Sequence, residues 1–568
     1  MISPPLAADK APAPFSLTGR SAILGRGPPL PCLLAGGAGA LTTGGRVVAR
    51  QKRRSAGQEP SPLDCLDREA EVFGSALARE YYLNHSGQKD DLELEPIFRR
   101  HAHLFTTETI DALRRADPAD VRLPALREFA VSGYLENAAR SLTEEISRRE
   151  TTDATLWNGE QVPYRALSSL ISNEADPERR HHLDRLRVEL TAGQNALRED
   201  RWDILHATAL TLGYNNYAEL CDSLGSLCLK ELARQMERFL WDSERVYRRR
   251  LEAYLRSLDL DPGLAERSDL AYLFRSPRFD VFFRREQLIA TLLATLRDLG
   301  IDAERQDNVH LDTEPRPHKS PRAFCTPIRI PDEVMLVINP HGGQEDYRAL
   351  LHEAGHAQHF AHVDQQLPYA QRGLGDYSVT EAYAFTLEHL VYNPAWLQRH
   401  LGVEDPSDYL ELARFHKLYM LRRYAAKLLY ELELHGGDDP RAKSKRYADL
   451  LTASLGVRYS AEDYLSDVDD GFYCARYLRA WILEAQVRHH LEQEFGNRWF
   501  ESCDAGVHLR TLWSCGQSHP AGELARRLGY EGLDVKLLTQ ELLGADCAES
   551  GAPAAANPTG GQLTTRHG

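Results

Sequence analysis

Apolar residues recur at intervals of three and four along most of the chain, which is the spacing of one face of an α-helix. Long helices with such faces must pack on one another, and no fixed-period repeat is found that would indicate stacked repeats. The chain is therefore expected to be mainly α, with one extensive helical body. The strongest helical segments are residues 125–149, 230–255, 282–300 and 408–437.

One segment departs from the helical pattern. Residues 321–340 place β-branched and apolar runs on either side of Pro331, Asp332 and Glu333, which predicts a two-stranded ribbon. The edge of such a ribbon offers N–H and C=O groups that an extended peptide can join as an added strand. A small hairpin with a purely structural role fits the same pattern, and the residues by themselves leave both interpretations open.

The composition of the 568-residue chain is typical of a globular enzyme, with 42% hydrophobic and 27% charged residues. A formal net charge of −15 argues against a nucleic-acid partner, because phosphate binding needs clustered Lys and Arg. No run of 18 or more apolar residues occurs, so no membrane span is expected. The nine cysteines are scattered and none forms C-x-x-C, which favours a reducing, cytoplasmic environment over a disulfide framework.

The two ends of the chain differ in composition from the rest. Residues 1–60 are rich in Pro, Gly and Ala and contain only two acids, which predicts a disordered leader or a mis-called start. The run PLPCLLAGGAGALTT within them has a weak likeness to a secretion signal, although its prolines and glycines are unusual there. Residues 546–568 are expected to form a disordered tail.

The candidate chemistry lies in HEAGH at residues 352–356, which has the pattern H-E-x-x-H. Residues four apart share one face of a helix, so the imidazoles of His352 and His356 can bind one metal ion. Glu353 lies on the adjoining side, where it reaches a water instead of the metal. Two imidazoles and one carboxylate with an open fourth position suit one Zn²⁺ ion, with Glu353 as the general base toward a metal-activated water.

Two residues are candidates for the third ligand. His362 has the spacing of H-E-x-x-H-x-x-G-x-x-H, but that pattern needs a glycine where this chain has His359, since the chain must turn there. Glu381 lies in the helical segment 376–392, which follows the first helix through a glycine-containing loop. A helix, a loop and an antiparallel helix bring a carboxylate opposite the two histidines, and Glu381 is the predicted ligand.

Two further side chains are candidates for supporting contacts. Glu388 is seven residues beyond Glu381 and shares its helix face, where it can accept a hydrogen bond from a ligand histidine. An exposed helix charge is the alternative interpretation of Glu388. His359, close to His356 on the same helix, either supports the ligands or packs against the ribbon, and ligation by His359 itself is not expected.

With these segments in view, the chain resembles the thimet oligopeptidase and oligoendopeptidase F family of zinc peptidases. HEAGHAQH at 352–359 resembles that family's H-E-x-G-H-x-x-H signature, and VTEAYAFTLEHL at 379–390 lies where the family places its glutamate ligand. Residues 321–339 are similar to the family's upstream ribbon, and residues 508–534 to its closing segment.

The resemblance implies a helical body of two lobes around a deep substrate channel with zinc on its floor. It divides the chain into an N-terminal helical lobe at 61–280 and a zinc peptidase catalytic region at 281–545. Such a channel admits short unfolded peptides and excludes folded proteins. The implied function is a zinc-dependent oligopeptidase, and the alternatives are a zinc carboxypeptidase of similar fold and a non-catalytic peptide-binding protein.

The family also places tyrosines late in the chain that donate hydrogen bonds to the oxyanion and the substrate backbone. By resemblance these are Tyr473 and Tyr477, four residues apart on one helix face, and the alternative is that both rings pack in a helix core. The histidine that the family usually has in this region has no counterpart here. Arg476 and Arg479 on the same segment either contribute charge to the site or, as is more common for an arginine pair on a helix, form a solvated face.

Overall fold

The computed structural model describes residues 61–320 and 322–544, and helices dominate this part of the chain. The predicted leader at 1–60 and the predicted tail at 546–568 lie outside the described residues. The expected mainly α fold is confirmed, with 21 α-helices among the described residues. None of these helices is long and apolar enough to cross a membrane.

The first eleven helices precede the H-E-x-x-H segment. They are α1 Pro62–His85, α2 Glu95–Arg100, α3 Thr107–Arg115, α4 Leu123–Thr152, α5 Tyr164–Asn173, α6 Pro177–Ala192, α7 Asn195–Thr211, α8 Tyr217–Gly225, α9 Leu229–Ser257, α10 Arg267–Arg275 and α11 Leu288–Asp298. The predicted helices at 125–149 and 230–255 are confirmed, and each lies within one longer helix, α4 and α9 respectively.

The remaining ten helices follow the sheet. They are α12 Gln344–Ala361, α13 Tyr369–Arg372, α14 Tyr377–Glu388, α15 Pro394–Leu401, α16 Ser407–Leu434, α17 Ser444–Leu455, α18 Tyr473–Phe495, α19 Cys503–Ser514, α20 Ala521–Arg527 and α21 Lys536–Leu543. The predicted helix at 408–437 is confirmed as α16, which ends just before the Gly436–Gly437 pair.

The helix predicted at 282–300 is shorter than its apolar pattern indicates. It begins at Leu288, and the preceding residues form two short 3₁₀ helices, Pro277–Phe282 and Arg285–Gln287. Phe283 is completely buried there against Tyr347 and Tyr409, and its carbonyl accepts the backbone N–H of Gly343 at 2.8 Å. These contacts with distant residues outweigh the local helical preference.

The predicted ribbon is present but belongs to a larger sheet. β4 (Phe324–Arg329) pairs antiparallel with β5 (Glu333–Val337), as expected, and β5 also pairs in parallel with β3 (Val309–Asp312). The strand order β3-β5-β4 leaves β4 at the edge of the sheet. The prediction of two strands is therefore corrected to three, since β3 is too short and polar to be recognised in the sequence.

A second, two-stranded sheet was not expected from the apolar pattern. β1 (Ala154–Trp157) and β2 (Glu160–Pro163) form an antiparallel hairpin across Asn158 and Gly159, which have φ values of 51° and 84°. Asn-Gly between two short apolar runs is a recognised hairpin signal, and it is the feature by which the sequence could have revealed this turn.

Helix α12 lies at the centre of the packing that positions the candidate site. It packs on α14, which packs in turn on α18, and it also packs against β4 and β5. Helix α1 packs on β4, and its Asp67 accepts the backbone N–H of Tyr369 at 2.7 Å. Glu71 on α1 forms an ion pair with Arg372 at 2.6 Å. The N-terminal helix thus holds the connection between α12 and α14.

Candidate metal centre

Helix α12 carries two buried histidines one turn apart. The helix begins after Gly343, whose φ of 89° lies in the left-handed region that favours glycine. Asp346 in its first turn accepts the backbone N–H groups of residues 341–342 at 2.6 and 2.7 Å, which holds the preceding turn in place. His352 and His356 are 8% and 4% exposed, and their ring centroids lie 4.9 Å apart.

The third side chain of the cluster comes from α14. Asp376 accepts the backbone N–H of Ser378 and caps this helix, so that the fully buried Glu381 faces α12. Gly355 allows the two backbones to touch, because a Cβ atom at this position would lie only 2.6 Å from the Cα of Ala384. The close approach of α12 and α14 brings the carboxylate to the histidines.

The ligand atoms of these three residues converge on one point. Glu381 Oε2 lies 3.3 Å from His352 Nε2 and 3.7 Å from His356 Nε2, and all three atoms lie within 4.8 Å of one another. His356 Nε2 and Glu381 Oε2 are buried and have no hydrogen-bond partner among the described residues. Buried polar atoms left without a partner are costly, and a metal ion bound by the three ligand atoms would satisfy both of these.

The Nδ1 atoms of His352 and His356 each contact a second side chain. His352 Nδ1 and Glu388 Oε2 are 2.8 Å apart, so the predicted supporting contact of Glu388 is made. His356 Nδ1 lies 2.9 Å from the hydroxyl of Thr380, which also lies 3.1 Å from Nδ1 of the fully buried His359. Because Nδ1 of each ring is engaged, Nε2 of both rings remains to coordinate a metal ion. Sequence reasoning missed Thr380, since a threonine beside a glutamate carries no recognisable signal.

Charges inside the cluster stabilise one another. Burial alone would raise the pKa of Glu381, but the neighbouring His352 and His356 hold it well below its usual range. Burial alone would lower the pKa of His352, but the carboxylates of Glu381 and Glu388 raise it above its ordinary value. A metal ion binds the neutral imidazole, so protons and a metal ion would compete for this site.

Glu353 lies between the cluster and the edge strand. Its Oε2 atom accepts the backbone N–H of Cys325 on β4 at 2.9 Å, and its side chain remains partly exposed. Burial raises the pKa of Glu353, while the neighbouring His352 and His356 oppose that increase. This carboxylate is therefore held by a backbone donor that no sequence pattern reveals, in a position to exchange protons with a reactant beside the cluster.

The two predicted tyrosines occupy different environments on α18. Tyr473 donates its hydroxyl hydrogen to Glu381 Oε1 at 2.7 Å, at the margin of the cluster. It begins α18 directly after Gly471 and Phe472, whose φ values of 64° and 54° place both in the left-handed region. Tyr477 packs its ring against Tyr473, with the centroids 5.0 Å apart. Of the two tyrosines, Tyr473 is thus the one whose hydroxyl bonds a candidate ligand.

His362 is not placed to act as a ligand, and Arg476 and Arg479 do not form a solvated face. His362 Nδ1 bonds the carbonyl of Gln358 at 2.8 Å, away from the cluster. Arg476 and Arg479 are each 5% exposed, so the prediction of a solvated face is wrong. Arg479 forms an ion pair with Asp376 at 2.6 Å, and these arginines serve to bind α18 to the start of α14.

Comparison with known proteins shows the fold. No family model and no curated protein sequence matches this chain. Among solved structures, PZ peptidase A bound to an inhibitor superposes with a TM-score of 0.62 at 15% identity, covering 86% of this chain and 92% of that one. A protein assigned as oligoendopeptidase F gives 0.59 at 16% identity, covering 85% and 90%. Pyrococcus furiosus carboxypeptidase gives 0.50 at 14% identity, covering 84% and 97%. The expected resemblance to oligoendopeptidase F is thereby confirmed at the level of the fold.

Proposed function

We propose that this chain is a zinc-dependent peptidase that hydrolyses short unfolded peptides. The observation that carries the proposal is the convergence of His352, His356 and Glu381, with Glu353 held beside them. The solved structures of the same fold are peptidases, which supports peptide hydrolysis as the reaction. A channel between an N-terminal lobe at 61–280 and a catalytic region at 281–545 would limit substrates to short chains.

The metal would be held by Nε2 of His352, Nε2 of His356 and a carboxylate oxygen of Glu381. Two imidazoles and one carboxylate are the donor set of catalytic zinc sites that keep one position open. When bound, zinc supplies a Lewis acid that acidifies water and polarises a carbonyl group. Glu388 and Thr380 keep the two rings oriented through their Nδ1 atoms.

Glu353 would act as the general base and then as the general acid. Its carboxylate accepts a proton from the attacking water and later delivers it to the nitrogen of the leaving amine. The Cys325 N–H bonds one carboxylate oxygen, which would leave the other for the reactants. β4 is the edge strand of the sheet, with its Cys325 N–H already bonded to Glu353, and an extended peptide that pairs with its remaining groups would place the scissile bond beside Glu353.

Replacing Tyr473 by phenylalanine is expected to lower kcat by about 100-fold and to leave the zinc content equimolar. The hydroxyl that now bonds Glu381 lies where it can turn to a developing oxyanion, so its loss removes a donor used only in the transition state. Kinetics with a quenched peptide and elemental analysis of the purified variant measure the two quantities.

Tyr477→Phe is the matched comparison, since Tyr477 packs its ring among Phe385, Tyr424 and Trp481. Its kcat should change by less than about threefold, well below the effect of losing an oxyanion donor. Equal losses in both variants, or loss of zinc from Tyr473→Phe, would contradict the role given to Tyr473.

The proposed function is tested by metal removal. Treatment with 1,10-phenanthroline should abolish hydrolysis of internally quenched peptides of six to ten residues, and one equivalent of Zn²⁺ should restore it. Mg²⁺ should not restore activity, because it prefers oxygen ligands. A protein that hydrolyses the peptides equally well after complete metal removal, or that binds zinc and hydrolyses none of a mixed peptide library, would overturn the proposal.

A carboxypeptidase is the second candidate, because the Pyrococcus furiosus carboxypeptidase shares the fold. The same peptides carrying a C-terminal amide distinguish the two activities. Internal cleavage of amidated peptides, identified by mass spectrometry of the products, supports the oligopeptidase. Removal of single C-terminal residues from free peptides alone would establish the carboxypeptidase instead.

A further inference from the structure

The backbone bends sharply just before α18. Residues 469–472 form this bend, which we call the Tyr473 bend because it leads directly into Tyr473. Gly471 has φ 64° and ψ 22°, and Phe472 has φ 54° and ψ 45°, so both residues lie in the left-handed region. That conformation is easy for glycine and strained for a bulky residue such as phenylalanine. Such strain persists only where surrounding contacts hold the backbone, and these contacts therefore decide where Tyr473 points.

Helix α16 holds the two sides of the Tyr473 bend together. The fully buried Glu431 accepts the backbone N–H of Asp469 at 3.1 Å with one carboxylate oxygen. Its other oxygen accepts the thiol hydrogen of Cys474, also at 3.1 Å. Lys427, one turn earlier on α16, donates to the carboxylate of Asp469 at 2.5 Å. Both ends of the bend are thus fastened to one helix.

Helices α7 and α8 hold the middle of the Tyr473 bend. The buried Arg201 on α7 donates to both carboxylate oxygens of Asp470, at 2.9 and 2.5 Å. The hydroxyl of Tyr217 on α8 accepts the backbone N–H of Gly471 at 3.0 Å. Arg201 is fixed in turn by the hydroxyl of Thr143 on α4, which accepts its Nε–H at 2.9 Å. The two anchors are 269 and 254 positions away from the bend in the sequence, so they meet it only in the folded chain.

The strained residue itself is anchored by its ring. Phe472 is fully buried, and its ring centroid lies 5.3 Å from that of His435, which follows the end of α16. The His435 ring lies 5.0 Å from the ring of Tyr217 and 4.4 Å from that of Trp202 on α7. Loss of an anchor from α7 or α8 therefore leaves fewer contacts to oppose relaxation of the strained backbone.

We propose that Arg201, Asp470 and Tyr217 are positioning residues that hold Tyr473 at the candidate ligands through the Tyr473 bend. The Tyr473 hydroxyl donates to Glu381 at 2.7 Å, at the far end of this chain of contacts. Helices α7 and α8 thereby set the place of that hydroxyl, although the three candidate ligands come from α12 and α14. The proposal rests on the proposed peptidase function, in which Tyr473 donates to the oxyanion.

Two substitutions cut these anchors and keep the shape of the side chain. Asp470→Asn removes the charge that pairs with Arg201, and Tyr217→Phe removes the hydroxyl that holds the Gly471 N–H. Each is expected to lower kcat by about tenfold or more and to change KM by less than about twofold, because the displaced donor serves only the transition state. Kinetics of the zinc-loaded proteins with a quenched peptide measure both constants.

The chain offers a matched control for each substitution. Asp203 is 47% exposed in its side chain, against 48% for Asp470, and Arg441 bonds both of its carboxylate oxygens. Tyr247 is fully buried and donates its hydroxyl hydrogen to the carbonyl of Leu455 at 2.8 Å. Asp203→Asn and Tyr247→Phe should each keep kcat within about twofold of the wild type, since neither side chain holds the bend.

A double-mutant cycle tests whether the anchors act through Tyr473. In a Tyr473→Phe background, Asp470→Asn and Tyr217→Phe should lower kcat further by less than about twofold, because the hydroxyl that they position is already gone. Losses of equal size in both backgrounds, or equal losses in the two control variants, would overturn the proposal.

A second measurement needs no turnover. With 3-fluorotyrosine at position 473 of the zinc-loaded protein, Asp470→Asn and Tyr217→Phe should shift or broaden the ¹⁹F resonance, and the two controls should leave it in place. An unchanged resonance in both anchor variants would overturn the positioning role. Wild-type protein that binds zinc but hydrolyses no peptide would overturn the peptidase instead, and the ¹⁹F spectra would still decide whether α7 and α8 position Tyr473.

Discussion

Glu353→Gln is expected to bind zinc as the wild type does and to lose at least about 1,000-fold in kcat/KM for peptide hydrolysis. The amide has the same shape as the carboxylate and keeps an oxygen that accepts the Cys325 N–H, so the contact at 2.9 Å can persist. It cannot accept the proton of the attacking water, which removes general base catalysis while the three ligand side chains stay in place.

Two measurements on one preparation check this expectation. Elemental analysis gives the zinc stoichiometry, and a quenched peptide gives kcat/KM. Gln358→Glu is the matched control for an exchange between amide and carboxylate on α12, because Gln358 bonds Gln306 at 2.9 Å away from the cluster. Retention of more than about one-tenth of the activity by Glu353→Gln would show that another group serves as the base.

Glu381→Ala is expected to abolish hydrolysis at low zinc concentration and to reduce zinc affinity by more than about 100-fold. Removal of a residue that only hydrogen-bonds a ligand costs less, about 10- to 100-fold. The fully buried carboxylate is the one negatively charged member of the described cluster, and His352 and His356 alone leave too few donors. Competition with a fluorescent zinc chelator measures the affinity.

Two comparison variants test whether Glu381, and no neighbouring residue, is the third ligand. Glu388→Ala loses the contact to His352 Nδ1 and should fall within the 10- to 100-fold range, about the cost of an outer partner. His362→Ala should retain zinc and activity, because that ring bonds the Gln358 carbonyl. Full zinc occupancy and activity in Glu381→Ala, with loss of both in His362→Ala, would replace Glu381 by His362 as the ligand.

Much of the fold can be predicted from periodicity. Helices α4, α9 and α16 each bury apolar residues along most of their length, so their pattern is uninterrupted and their type is unambiguous. The candidate cluster can also be anticipated, because helical spacing puts His352 and His356 on one face and the glycine-containing loop returns Glu381 to them.

What periodicity does not reveal depends on contacts between distant segments. β3 becomes a strand because β5 offers it a parallel partner, and 277–287 leaves the helical pattern because Phe283 is buried against α12 and α16. The sequence alone predicts that Arg476 is a surface charge, because its ion-pair partner Glu128 is far away in the sequence. Pairing of this kind has no signature within a single segment.

The contact at Gly355 has a consequence for how the molecule can move. Because the backbones of α12 and α14 touch there, the separation of the histidine pair from Glu381 is set by atomic radii and not by adjustable side chains. The two helices are therefore expected to move as one unit. Any opening beside the cluster is then expected in other segments, and the distances among His352, His356 and Glu381 should stay constant.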